Sequence, residues 1–155
     1  MKFKPNYLTI PLITILVAFL GSLLTASGMS WYNNQLIRPD ITPPDWAFPL
    51  AWNLIFVLTT IAALIVINKS QGKRRLWIAT FFIANAVLNV LWSLLFFKYH
   101  LILPAFIEMI VLNLTTVVLI ALSCKISKSA SWFLLPYFLW VSFATYLTYL
   151  ILVLN

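Results

Sequence analysis

Asn85 and Asn89 stand four residues apart in an apolar run, and Trp92 and Phe96 continue the same helical face. Amides at membrane depth need partners, which are either a neighbouring helix or a ligand. Glu108 is the one acid inside a long apolar segment. A carboxyl group there serves either a functional pathway or a protonated, hydrogen-bonded structural role. Pro136, Tyr137, Trp140, Ser142, Thr145, Tyr146, Thr148 and Tyr149 crowd one short stretch near the end of the chain. Such rings offer stacking faces with a few hydrogen-bonding tips, the lining that a flat aromatic ligand requires.

Other chemistry is poorly supplied. His100 is the only histidine and falls in a turn between apolar runs, so neither a Ser-His-Asp nor a Cys-His arrangement can be assembled. Cys124 is the only cysteine, which excludes an internal disulfide framework and a cysteine metal site. Three glycines in the whole chain leave no phosphate-cradling motif. The net charge of +7 sits at the ends of apolar segments rather than in a patch, and nucleic acid is not an expected partner.

The elements that must hold these groups follow from composition. With 63% hydrophobic and 8% charged residues in 155, the chain is expected to be an all-α integral membrane protein. Five apolar segments are each long enough to cross hydrocarbon as a helix, at about residues 7–27, 44–67, 76–97, 101–124 and 130–154. Short connections make them an up-down bundle, one membrane domain over 1–155. Lys2 and Lys4 before the first segment raise a signal peptide, but its apolar run exceeds a usual signal core, so it reads as a retained helix. Small residues in that helix (Gly21, Ser22, Thr25, Ala26) favour close packing. Ala79, Ala84 and Ala86 were weighed as a small-residue dimer face on helix 3.

The interruption from Trp31 to Trp52 is stiffened by Pro39, Pro43, Pro44 and Pro49 and carries Trp31, Trp46 and Trp52. It suits a structured lid or pocket wall, or a well-anchored interfacial loop. Thr42 is expected to cap helix 2 with Pro43 at its first position and Asp45 near its positive end. Pro49 is expected inside the helix, kinking it. Eight Lys and Arg residues fall on the amino-terminal side, against Arg38 and Lys98 on the other. This imbalance puts the N-terminus in the cytoplasm and the first loop and C-terminus outside, in a cytoplasmic membrane.

Three runs resemble the TspO/MBR family, the translocator protein or peripheral benzodiazepine receptor group. They are the R-P-x-x-x-P-P from Arg38 to Pro44 with Phe48 and Trp52 after it, the N-x-x-W-S-x-x-F-F of Asn89 to Phe97, and PYFLWVSFATYLTY in helix 5. The resemblance implies a five-helix bundle, often a homodimer, with a pocket closed by the first loop. It implies porphyrins, benzodiazepine- and isoquinoline-type compounds, and in some members sterols, as ligands. The porphyrin is then ligand or substrate, with no cofactor and no metal site. Pocket positions carried over are Trp31, Pro43, Pro44, Phe48, Trp52, Asn85, Asn89, Trp92, Tyr137, Trp140, Phe143 and Ala144. Light-dependent porphyrin breakdown in similar bacterial members is attributed to tryptophans matching Trp52 and Trp140. The sequence departs from the family at Ile41, Pro49 and Phe56, usually Trp, Gly and Tyr. Nothing basic follows Tyr149, which lowers sterol binding. The expected function is a tetrapyrrole receptor with an uncertain enzymatic side. The alternative is a transporter of porphyrin, sterol or another hydrophobic molecule, with Glu108 coupling protons.

Overall fold

The computed structural model describes residues 5–155. Lys2 and Lys4, counted above toward the basic end, lie outside them. Five helices follow in order, α1 (Asn6–Asn34), α2 (Ala47–Lys69), α3 (Gly72–Ser93), α4 (Ile102–Cys124) and α5 (Lys128–Leu154). A π-helical turn, Leu94–Lys98, extends α3. No strand occurs among the described residues. The shortest helices have 23 residues, about 34 Å at 1.5 Å per residue, enough for roughly 30 Å of hydrocarbon. The chain is an all-α, multi-pass membrane protein of five apolar helices.

Neighbouring helices alternate in direction and close a ring in the order α1, α2, α5, α4, α3. Buried residues sit on the inner faces, whereas large apolar side chains such as Leu76, Val87, Leu114 and Leu139 point outward, as lipid requires. Association inside lipid rests on close packing and interhelical hydrogen bonds rather than on expulsion of water. α4 and α5 meet over the most completely buried surface, where Met109, Leu112 and Val141 are fully enclosed. At one end, Asn6 of α1 donates to Asn68 of α2 at 3.0 Å, and Arg74 donates to the Lys125 carbonyl at 3.2 Å. This end also carries Lys69, Lys73, Arg75 and Lys128, and is the basic end.

Several expectations are corrected. Helix 1 does not stop near residue 27 but runs to Asn34, so Trp31 and Tyr32 are helical rather than part of the loop. Polar residues past Ser27 mark departure from hydrocarbon, not the end of backbone pairing. Helix 2 starts at Ala47, not Pro44. Thr42 does not cap it, because its hydroxyl is spent on the Pro39 carbonyl at 2.6 Å. The segment instead makes two successive turns, Thr42 N to Pro39 O at 2.9 Å and Ala47 N to Pro44 O at 2.8 Å. Pro49 therefore lies in the first turn of α2, where the backbone N–H has no helical partner to lose, and no kink follows from it. Ala79 and Ala86 face a cavity inside the bundle, so they do not form an outward small-residue stripe with the exposed Ala84.

Gly28 explains how α1 reaches the turn after α3. A Cβ at this position would run into the backbone carbonyl of Phe97. Only glycine lets the two backbones touch. The π turn presents Phe96 and Phe97 to this contact, where both rings pack on Tyr32 at 6.1 and 5.8 Å between centroids.

Candidate functional site: an aromatic cavity beneath the first loop

A cavity of about 400 Å3 opens inside the half of the bundle nearest the first loop. Its volume lies within the usual range for small-molecule sites of about 300–1,000 Å3. α2 contributes Phe48, Trp52 and Phe56, α3 contributes Asn89 and Trp92, and the π turn contributes Phe96 and Phe97. α5 supplies Trp140, Ala144 and Thr148. The remaining wall is α1, with Gly21, Ser22, Thr25, Ala26, Met29 and Tyr32. The α1 side chains are short, and that shortness is what leaves the space open.

The rings form a connected set. Trp52 lies 6.4 Å from Trp92 and 5.7 Å from Phe56, while Trp92 stacks on Phe96 at 5.7 Å. Across the cavity, Trp140 meets Phe48 edge-on at 5.8 Å and Phe143 at 5.8 Å. Such pairs contribute about 0.5–1.5 kcal/mol each beyond burial and hold the indoles in fixed planes. The indole N–H groups of Trp92 and Trp140 are buried and have no acceptor among the described residues. An acceptor on a bound molecule would satisfy them.

The amides divide the work. Asn85 donates to Thr115 at 2.9 Å and Thr116 at 3.1 Å, and accepts from the Tyr137 hydroxyl at 2.8 Å. Its bonding capacity goes into joining α3, α4 and α5. Asn89 makes one long bond to Tyr137, at 3.4 Å, and borders the aromatic cavity. Glu108 is 6% exposed with neither carboxyl oxygen hydrogen-bonded, and it lines no cavity described here. Among the described residues no three His, Cys, Asp or Glu side chains gather as a metal site.

Of the residues expected from sequence, Phe48, Trp52, Asn89, Trp92, Trp140 and Ala144 come together around this cavity. Asn85 and Tyr137 border a second cavity of about 250 Å3, nearer the basic end between α1, α2 and α3, which Asn89 and Phe56 also touch. Trp31 lines neither cavity; it stacks on His100 at 4.1 Å and meets Phe96 edge-on at 5.5 Å. Pro43 and Pro44 lie in the turns of the first loop, and Phe143 stands behind Trp140. The α1 wall was missed as lining, because small residues signal tight packing equally well. Asp45 also borders the cavity, and its 3.3 Å ion pair with Arg38 holds the loop, with Arg38 lying over the Tyr32 ring at 5.5 Å. The far end of the loop is fixed by Asn155, whose side chain accepts from the Ile37 N–H at 2.9 Å and donates to the Ile37 carbonyl at 3.1 Å.

Comparison with known proteins adds a second line of observation. A model of the TspO/MBR family matches residues 9–154. The chain is 34% identical to the "Tryptophan-rich protein TspO" of Chlorobaculum tepidum over 144 residues, 92% of this chain and 91% of that one. It is 30% identical to the protein of the same name in Bacillus cereus, covering all of both chains. A "Tryptophan-rich sensory protein" of Cereibacter sphaeroides is 30% identical over 77% of this chain and 73% of its own.

Proposed function

The chain belongs to the TspO/MBR family, and from that premise we propose that it is a membrane receptor for a planar tetrapyrrole held in the aromatic cavity. The observation that carries this reading is the cavity itself, about 400 Å3, walled by Trp52, Trp92 and Trp140 with two indole N–H groups unpaired. Its lining suits a flat apolar ring system bearing hydrogen-bond acceptors at its edge. A sensory role is supported by the name given to the Cereibacter sphaeroides relative. Benzodiazepine- and isoquinoline-type compounds, smaller and equally flat, fit the same reading. The receptor works as a homodimer in the cytoplasmic membrane, with the basic end facing the cytoplasm.

Trp52 and Trp140 border one space, so a macrocycle between them would meet indole on two sides. On illumination, an excited porphyrin takes an electron from an indole or passes its energy to dioxygen, and the macrocycle is oxidised in place. The test is a dark titration of the purified protein with protoporphyrin followed by illumination, in wild type and in the Trp52→Phe, Trp140→Phe double variant. Saturable quenching with bleaching lost in the variant is the expected result. Unchanged bleaching would make the photochemistry the porphyrin's own. Absence of saturable binding would remove the tetrapyrrole reading.

Transport is the second reading, favoured by one observation. Phe56 and Asn89 border both cavities, so the two spaces approach each other along the bundle. Porphyrin flux into proteoliposomes that collapses in Glu108→Gln would support coupled transport, and a normal rate in that variant would remove the coupling.

A further inference from the structure

We propose that the second cavity is a separate site for a single-chain amphiphile with an anionic head, a long-chain fatty carboxylate, held head-first by Arg75 at the basic end. This assignment is independent of what the aromatic cavity binds.

The head site follows from an imbalance of donors. Arg75 Nη2 donates to Asn6 Oδ1 at 3.0 Å, and Asn6 Nδ2 donates onward to Asn68 Oδ1 at 3.0 Å. Both polar atoms of Asn6 are thereby used. Asn68 Nδ2 is buried and has no acceptor among the described residues. The cluster thus ends in a free amide N–H2 on one side and a guanidinium with further N–H groups on the other. A buried donor left unpaired costs about 1–3 kcal/mol, so an acceptor is wanted here. The chain has no acid to supply it. Its three acids are Asp40 and Asp45 in the first loop and Glu108 toward the loop end of α4, all remote from Arg75. The carboxylate must come from another molecule, and a guanidinium is the group best shaped to receive both of its oxygens.

The tail site follows from shape. Below Arg75 and Asn6 the cavity runs between α1, α2 and α3 past Ile10, Ile13, Ala63, Ala79 and Phe82, none of which offers a polar side chain. A space of about 250 Å3 equals the share of roughly eight waters at ~30 Å3 each, but water needs polar partners that these walls lack. The volume admits one hydrocarbon chain, not two. Ile13 and Ile83 line the space yet are 40% and 46% exposed, so it opens toward the bilayer between α1 and α3, giving a lipid-dissolved chain its entry.

The test uses the full-length protein in detergent and measures binding of radiolabelled palmitate, with hexadecanol and dioleoyl phosphatidylglycerol as competitors. Wild type is expected to bind one palmitate saturably. Arg75→Gln weakens it about tenfold, and hexadecanol competes about tenfold less well than unlabelled palmitate, as loss of a charge-assisted bond predicts. Ile83→Trp, which fills the slot from its exposed side, abolishes palmitate binding while protoporphyrin titrates as in wild type. The Trp52→Phe, Trp140→Phe variant keeps palmitate binding. If Ile83→Trp fails to fold, Arg75→Gln and the hexadecanol competition still decide. Equal binding of the alcohol, or unchanged affinity in Arg75→Gln, overturns the head site. Displacement of palmitate by protoporphyrin overturns the separate location. Stronger competition by phosphatidylglycerol than by palmitate overturns the single-chain assignment in favour of a membrane lipid.

Discussion

Met109, Leu112 and Leu119 of α4 and Leu134 and Val141 of α5 are wholly enclosed, whereas the 29 residues of α1 include only two buried ones, Gly28 and Tyr32. α4 and α5 pack side chain into side chain along their length. α1 touches its neighbours at a few fixed points: the Gly28–Phe97 backbone contact, the 2.8 Å hydrogen bond between Thr14 and Thr60, and the Asn6–Asn68 bond. Between those points it stands off, and each gap is a cavity. One pair of helices is therefore the frame, while α1 is the wall that makes room. Stability and binding reside in different parts of the bundle, so substitutions should separate them.

The largest effect should come where the wall is pinned. Gly28→Leu forces α1 away from the Phe97 backbone, and a loss of more than about 4 kcal/mol is expected, read as failure to recover folded protein after detergent extraction. Recovery at wild-type yield would show that α1 is not pinned there. Next is the frame. Leu112→Ala opens a hole between α4 and α5 and should cost about 2–5 kcal/mol. At roughly 2–4 °C per kcal/mol the thermal midpoint should drop clearly, with ligand affinity preserved in the protein that remains folded. Asn85→Leu removes the knot joining α3, α4 and α5, worth about 1–2 kcal/mol, again as a lowered midpoint. A large loss of protoporphyrin affinity in this variant would blur the division between frame and wall.

Gly21→Leu tests the wall in the other direction. The nearest obstacle to a Cβ there is Ser93 Oγ at 3.8 Å, so the helix accepts it and the side chain fills the aromatic cavity. Stability should move by less than about 0.5 kcal/mol, while protoporphyrin affinity falls about tenfold in a quenching titration. The smallest effect belongs to Asp45→Asn, which breaks the exposed ion pair with Arg38 and should change the thermal midpoint by no more than about 1 kcal/mol's worth.

The five spans were legible because length and hydropathy are direct requirements of a bilayer. The aromatic half of the site was legible too, since Trp52, Trp92 and Trp140 exceed what an interfacial belt requires. The loop was harder. Thr42, Pro43 and Asp45 imitate a helix start, but the Pro39 and Pro44 carbonyls claim the local donors and delay the helix to Ala47. The α1 wall could not be read, because Gly21, Ser22 and Ala26 are equally consistent with close contact and with its opposite. Only the positions of the neighbours distinguish them. Asn85 and Asn89 gave the same periodic signal, yet one is saturated by Thr115, Thr116 and Tyr137 and the other borders open space.

The π turn at Leu94–Lys98 bears on how chains of this kind tolerate insertions and deletions. A π turn holds one more residue than an α turn over a similar rise, so it stores a single-residue insertion without breaking the helix around it. Deleting Leu95 would let the segment relax to an ordinary helix, rotating everything on one side of the cut by about 100° relative to the other. Phe96 and Phe97 would then leave the face that meets Gly28, although span length and hydropathy would hardly change. Two chains differing by that one residue would align with a trivial gap and still build different cavities.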